Sequence, residues 1–145
     1  MKARIISVNI SESKGERKTN VGSCRLLEGH GLAGDGHAGP WHRQVSLLAA
    51  ESIQKMKDMG LDVKPGDFAE NLTTEGIDLV SLPVGTTLKV GDSVLMRVTQ
   101  IGKVCHERCA IYYQAGDCVM PKEGIFTEVL EGGDVKIGDE IEVVS

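Results

Sequence analysis

Two thiols, an imidazole, a carboxylate and two cations fall within seven residues, Lys103-Val104-Cys105-His106-Glu107-Arg108-Cys109. Elsewhere the chain is mostly alternating Val, Ile and Leu runs joined by glycine turns. A thiol reacts as its thiolate. Placing Cys105 at or just before a helix N-terminus, near His106, Lys103 or Arg108, favours that form, and Glu107 opposes it. Three chemistries follow for Cys105: carriage of sulfur as a persulfide, nucleophilic attack, and ligation of a soft metal. The plainer alternative is a buried structural thiol, because free cysteine often packs as a small hydrophobe. That alternative is strongest for Cys24, which lies inside a strand-like run. Cys109 and Cys118 are intermediate, since either could resolve a persulfide or share a ligand with Cys105. Zinc would accept Cys105, Cys109, Cys118 and His37 or His106. The spacing is irregular and lacks a Cys-x-x-Cys pair, so zinc ranks low.

A second group of candidates lies in residues 29–40, where five glycines occur in the eleven residues from Gly29 to Gly39. Such density lets backbone approach a ligand or adopt positive φ. Asp35, His37 and His42 add acid, base or ligand groups, and the absence of Gly-Lys-Ser/Thr excludes a Walker A loop. Turn formation is the equal rival here. Further on, Glu70 and Asn71 stand between apolar Phe68 and Leu72. Asn71 can hydrogen-bond a ligand or, more commonly, a backbone turn.

The elements that must position these groups are mainly strands. Residues 3–10, 21–28 and 44–48 are rich in β-branched or aliphatic residues. Residues 11–20 are polar and read as a solvated loop whose Lys/Arg cluster could touch an anion. Residues 49–59 form a helix pattern, with Ala49, Ile53 and Met56 on one face and Gly60 as its stop. From residue 82 the pattern is strand-turn-strand. Leu88-Lys89-Val90-Gly91-Asp92 resembles Val135-Lys136-Ile137-Gly138-Asp139, and in each the Gly-Asp pair marks a turn into an alternating strand. Short strands with tight turns and hidden edges point to a closed or nearly closed β-structure. A short helix after Cys105, ending near Gly116, would carry Cys109, Tyr112 and Tyr113 inward. Residues 123–130 form another strand candidate. The expected fold is therefore mainly β, one barrel-like domain over residues 1–145 with a few short helices.

Composition narrows the function classes. A net charge of -5 argues against a nucleic-acid partner held through phosphate neutralisation. No stretch has the length of a signal-peptide core or a membrane span, so the expectation is a cytoplasmic chain with no membrane partner. In that compartment its four cysteines read as thiols. Only 3% of residues are aromatic, so the core must be aliphatic.

Four segments in order carry a family resemblance: residues 31–48 (GLAGDGHAGPWHRQVSLL), 68–79 (FAENLTTEGIDL), 82–105 (LPVGTTLKVGDSVLMRVTQIGKVC) and 124–143 (GIFTEVLEGGDVKIGDEIEV). Together the chain resembles the MOSC domain family, named for the C-terminal domain of molybdenum-cofactor sulfurases, as a small stand-alone member. The resemblance implies a β-barrel-like fold and binding of molybdenum cofactor or its molybdenum. It places Cys105 at the family's characteristic cysteine, shortly after a Thr-Gln strand end, here Thr99-Gln100. It puts Gly34, Asp35, Gly36, His37 and Arg43 in the Gly-Asp-x-His region, and Glu70 and Asn71 in the Gly-Glu-Asn-Leu motif. Joined to the thiol chemistry, it implies that Cys105 carries sulfur or ligates molybdenum. His37 would then act in proton transfer, Arg43 and Lys103 would be charge partners, and amides of the Gly-rich loop would hold the cofactor's phosphate.

Two departures stand out. Ala69 replaces a common Gly, a mild change unless the position needs positive φ. Val104 replaces a common Pro, leaving the approach to Cys105 less constrained. Pyridoxal phosphate, a cofactor often attributed to the family, has no recognisable site here. Sulfur would therefore come from a separate cysteine desulfurase or other donor and pass towards a molybdoenzyme acceptor. The alternatives are a cofactor carrier or chaperone without catalysis, a reductase of N-hydroxylated compounds fed by a partner electron donor, and a plain β-barrel interaction module with an inert Cys105.

Overall fold

Runs of alternating or continuous Val, Ile and Leu become strands wherever their apolar faces can meet. A computed structural model of the chain describes residues 3–12, 17–36, 38–102 and 123–144. Along them run β1 (Arg4–Ile10), β2 (Thr19–Asn20), β3 (Ser23–Leu27), β4 (Gly31–Leu32), β5 (Val45–Ala49), α1 (Ala50–Asp58) and β6 (Leu72–Glu75). A 3-10 turn (Leu79–Ser81) follows, then β7 (Thr87–Val90), β8 (Val94–Ile101), β9 (Ile125–Glu131), β10 (Gly133–Lys136) and β11 (Ile141–Val143). The expected mainly β architecture is what forms.

Eight strands make one sheet in the order β11-β7-β8-β9-β5-β6-β1-β2, and β10-β3-β4 make a second. The larger sheet curls into a half-barrel. Its two ends are tied: Arg4 bridges Glu140, Ile5 N donates to Asp139 O at 2.8 Å, and Gly138 N donates to Ile5 O at 2.8 Å. Those bonds satisfy backbone groups that an open edge would leave bare.

The inner face is aliphatic, as the low aromatic content requires. Ile5, Val8, Leu47, Leu72, Leu88, Met96, Val98 and Ile125 are all fully buried in one cluster. A second cluster fills the space beneath α1, where Ile53 and Met56 pack with Leu48, Val63, Phe68 and Phe126. The helix ends where expected, with Gly60 at φ 95° and its N–H on Lys57 O at 2.9 Å. β5 and β6 pair in parallel, which a tight hairpin cannot do, and α1 supplies the crossover between them. Among the described residues no helix is long and apolar enough to cross a membrane.

The two Lys-x-Gly-Asp copies become neighbours. β11 pairs with β7, and Gly91 N donates to Glu140 O at 2.9 Å. One expectation changes. The described part of residues 11–20 is not simply a solvated loop: Thr19 and Asn20 pair with β1, and Lys18 is buried. The carboxylate that pairs with Lys18 belongs to Asp35, 17 residues further along the chain, so its local polar neighbourhood gave no sign of burial.

Candidate functional site

Beneath the Gly-rich loop lies a closed polar network. The Asp35 side chain is fully buried and accepts from Lys18 Nζ at 2.7 Å, Ser11 N at 3.1 Å and Asn71 Nδ2 at 3.0 Å. Lys18 Nζ also donates to Ser11 Oγ at 3.0 Å. A buried ammonium and carboxylate are tolerable only with this kind of mutual satisfaction.

Asn71 sits at the junction of three segments. Its Oδ1 accepts from Ser46 N at 3.0 Å, and its Nδ2 reaches Asn9 O at 3.2 Å as well as Asp35. Its backbone joins in, since Asn71 N donates to Ser46 O at 2.9 Å and Asn9 N donates to Asn71 O at 2.7 Å. The commoner use of such an asparagine, fixing backbone, is the one the geometry displays.

Glu70 is also fully buried. Thr73 Oγ1 donates to its Oε2 at 2.7 Å, and Asn9 Nδ2 donates to Thr73 Oγ1 at 3.2 Å. Its Oε1 has no hydrogen-bond partner among the described residues. Burial pushes the Glu70 carboxyl above the ordinary carboxylate range; the Thr73 hydroxyl and the amides of Gly66, Glu70 and Phe68 pull the other way. The turn that delivers this pair contains Ala69 at φ 63°, the one non-glycine with positive φ among the described residues. The position at which the family resemblance implies glycine therefore does use the left-handed region.

The Gly-rich loop turns inward upon itself. The amides of Asp35, Gly36, Ala38 and Gly39 donate to Leu32 O, Ser11 O, Asp35 O and His30 O at 2.7–3.2 Å. Gly31 is forced by its own chain, because a Cβ there would lie 2.5 Å from Gln44 O. Gly34 has φ 80° with open space around it. These four amides thus serve backbone carbonyls of the loop itself and of Ser11, for the usual reason that backbone donors in a compact turn find the nearest acceptor.

Arg43 lies elsewhere, where β8 ends. The pairing of β8 with β9 is irregular between Val98 and Gln100, so Thr99 is extra in the register. The Thr99 hydroxyl donates to His42 O and lies 3.1 Å from Phe126 O. Gln100 Oε1 accepts from Arg43 Nε at 3.1 Å and lies 3.0 Å from His42 Nε2. Gln100 Nε2 donates to Gly102 O at 2.7 Å. The Arg43 guanidinium sits 6.0 Å from the Trp41 ring centre and 5.1 Å from that of Phe126. A bulge that re-aims side chains at a sheet end is a common device beside functional sites.

Gly102 N donates to Gly124 O at 2.6 Å, so the two described ends flanking residues 103–122 meet beside this cluster. Cys105, Lys103, His106, Cys109, Cys118 and the helix expected after Cys105 lie outside the described residues, as does His37. Cys24 is half-buried on β3. Burial raises its thiol pKa, with backbone hydrogen bonding at Ala33 and Arg25 working in the opposite direction. That is the profile of an inert thiol, as read from its strand context.

The structure therefore brings Asp35, Asn71 and Glu70 together in one buried network, and Arg43 together with His42 at the end of β8. Lys18, Ser46 and Gln100 complete these clusters. Their contribution was not readable locally, since Lys18 lies 17 residues from Asp35, and Gln100 lies 57 from Arg43. Two open clefts, of about 300 Å³ beside α1 and about 410 Å³ beside Arg17 and Lys64, include none of the candidate cofactor-binding residues, although Arg17 and Lys18 of the cluster read as able to touch an anion line the second. Among the described residues no three His, Cys, Asp or Glu side chains converge as a metal site. The described residues suit the anionic part of a cofactor through Arg43.

Comparison with known proteins agrees with this architecture. The YuaD protein from Bacillus subtilis superposes with a TM-score of 0.79 at 20% identity, over 99% of this chain and 96% of that one. YiiM from Geobacillus stearothermophilus gives 0.72 at 19% identity, over 99% of this chain and 75% of that one. YiiM from Escherichia coli gives 0.67 at 23% identity, over 100% of this chain and 70% of that one. At such identities the likeness speaks for the fold. No curated protein matches the sequence. The family model for the MOSC domain matches residues 34–142, which span the Asp35–Asn71 network, Arg43 and the Thr99-Gln100 strand end. The chain belongs to the MOSC domain family, which is associated with molybdenum-cofactor enzymes.

Proposed function

We propose that this protein binds molybdenum cofactor and carries sulfur on Cys105 for that cofactor. The observation that carries the reading is the 2.6 Å hydrogen bond from Gly102 N to Gly124 O, at which the segment containing Cys105 departs and returns beside Arg43 and Gln100. Cys105 follows Gly102 by three residues in sequence, and the strand end before Gly102 holds Arg43, a cation suited to an anionic cofactor. The molybdenum cofactor, when bound, supplies a metal able to exchange oxygen and sulfur ligands.

In this reading Arg43 pairs with the anionic part of the cofactor. The Lys18–Asp35–Asn71 network acts beneath, fixing the Gly-rich loop against β1 and β5 and keeping the site's floor rigid. Lys103 favours the thiolate of Cys105, and His37 accepts or returns a proton. The Cys105 thiolate attacks the outer sulfur of a donor persulfide. A sulfur–sulfur bond forms on Cys105, the donor's bond breaks, and the donor leaves as a thiolate, with no net oxidation. The donor is a separate cysteine desulfurase or another persulfide source, the acceptor a molybdoenzyme, and the setting the cytoplasm.

The test loads purified protein with a persulfide donor or with molybdenum cofactor and follows intact mass and bound metal. Wild type should gain one sulfur atom and retain molybdenum, and Cys105→Ser should lose one or both. A Cys105→Ser protein that acquires the same sulfur and metal as wild type overturns the proposal. Retained cofactor without sulfur on the wild-type protein would point instead to a carrier that delivers the cofactor unchanged.

A further inference from the structure

We propose that Arg43, clamped by Gln100, is a receptor for a tetrahedral oxyanion, either a phosphate monoester or the free ion. This rests on the reading above that an anionic cofactor approaches this sheet end, and it names the chemistry that would recognise it.

The first argument is charge. Five arginines fall among the described residues, and four have a carboxylate partner: Arg4 with Glu75, Arg17 with Asp67, Arg25 with Asp134, and Arg97 with Glu128. Arg43 has none among the described residues. Its surroundings are also less wet than those of the other four, because it is half-buried and flanked by the Trp41 and Phe126 rings. A guanidinium held in partly desolvated surroundings without a counter-charge gains most when an anion arrives.

The second argument is geometry. Arg43 makes its hydrogen bond to Gln100 Oε1 through Nε alone, at 3.1 Å. Its two terminal NH2 groups have no hydrogen-bond partner among the described residues, and they form the fork that matches two oxygens of a phosphate or similar ion. The Gln100 amide cannot be turned over. Its Nε2 donates to Gly102 O at 2.7 Å, and exchanging the two ends would set oxygen against oxygen and N–H against N–H. With Gln100 Oε1 facing it, His42 Nε2 at 3.0 Å must carry its proton, leaving Nδ1 as the other ring position. Gln100 is thus a positioning residue. It holds Arg43, His42 and the first residue past β8 in one arrangement, set by the bulge at Thr99.

Trp41 is the only tryptophan in the chain, and its ring centre is 6.0 Å from the Arg43 guanidinium carbon. Its fluorescence therefore reports on the site without any assay of activity. Wild-type protein is titrated with inorganic phosphate, with molybdate and with glycerol phosphate, against sodium chloride at matched ionic strength. A saturable change is expected with the oxyanions and not with chloride. Tighter binding of glycerol phosphate than of the free ions identifies an esterified ligand; the reverse order identifies a free oxyanion.

Arg43→Gln should abolish saturation. Arg43→Lys keeps the charge without the fork and should weaken binding about tenfold, which keeps the test open if the glutamine variant misfolds. Gln100→Leu should also weaken binding, and melting curves within a few degrees of wild type would separate this from unfolding. No saturable response in the wild type, or equal affinity in Arg43→Lys and wild type, overturns the inference. The functional reading fails separately: saturation by oxyanion with no sulfur gained on Cys105 leaves this receptor standing, and sulfur gained without oxyanion binding removes the receptor alone.

Discussion

Ala69 holds φ 63° in the turn before Glu70 and Asn71, and glycine at that position should make the protein more stable. The left-handed conformation brings Cβ against the following carbonyl, at about 1–2 kcal/mol for an L-residue. Glycine escapes that clash but gives the unfolded chain more freedom, which offsets about 0.5–1 kcal/mol. Ala69 is only half-buried, so losing its methyl removes little packing. The net expectation for Ala69→Gly is a gain of about 0.5–1 kcal/mol, or a rise in Tm of about 2–3 °C for a domain of this size. The hydrogen bonds at this residue are made by backbone atoms, Ala69 N to Gly66 O at 3.0 Å and Ser46 Oγ to Ala69 O at 3.3 Å, and both survive the change. The comparison therefore isolates the side chain. Urea unfolding with an unchanged m-value, alongside thermal melts, measures it. Ala69→Val should lose stability, because a β-branched side chain tolerates this conformation least. If Ala69→Gly melts at or below the wild-type temperature, the conformational argument is refuted.

Two further perturbations probe the buried network. Asp35→Asn leaves the Lys18 ammonium buried without its counter-charge and should cost about 3–5 kcal/mol, while adding Lys18→Met should restore much of it; a double-mutant cycle in urea measures the coupling, and a loss under about 1 kcal/mol in the single variant would contradict it. The Glu70 carboxyl, raised by burial above its ordinary value of 4.5, keeps its proton in the folded state to higher pH than in the unfolded chain. Its contribution to stability is therefore complete below about pH 4.5 and is lost as pH rises through the raised folded value. Glu70→Gln should remove that part of the pH dependence of the urea midpoint, and an unchanged slope would assign it to another group.

Much of the scaffold was legible because its causes are local. Alternation of aliphatic residues dictates strands whatever lies across from them, and the spacing of Ile53 and Met56 with Gly60 dictates a helix and its end. The paired Gly-Asp turns were legible for the same reason, since glycine before a strand start marks a turn in any context. The order of the strands was not. The parallel pairing of β5 with β6 and the meeting of β1 with the chain before β11 depend on which apolar faces find each other. Family motifs identified Asp35, Arg43, Glu70, Asn71 and Cys105 as the residues to watch, but spacing could not say what each one touches.

That was decided by burial and long-range hydrogen bonds. Lys18, polar and set among charges, looked solvated until the Asp35 carboxylate and Ser11 hydroxyl were found to close around it. Asn71 became a joint between segments because all of its amide capacity is used on Asn9, Ser46 and Asp35. Gln100 gained a purpose only through a bulge that turns it to Arg43 and His42. The sequence by itself determined which groups are present and, through the family motifs, marked Cys105 as the thiol to test. Tertiary structure decided which of the other groups are locked inside and which retain free donors, because desolvation and hydrogen-bond satisfaction are set by atoms distant along the chain.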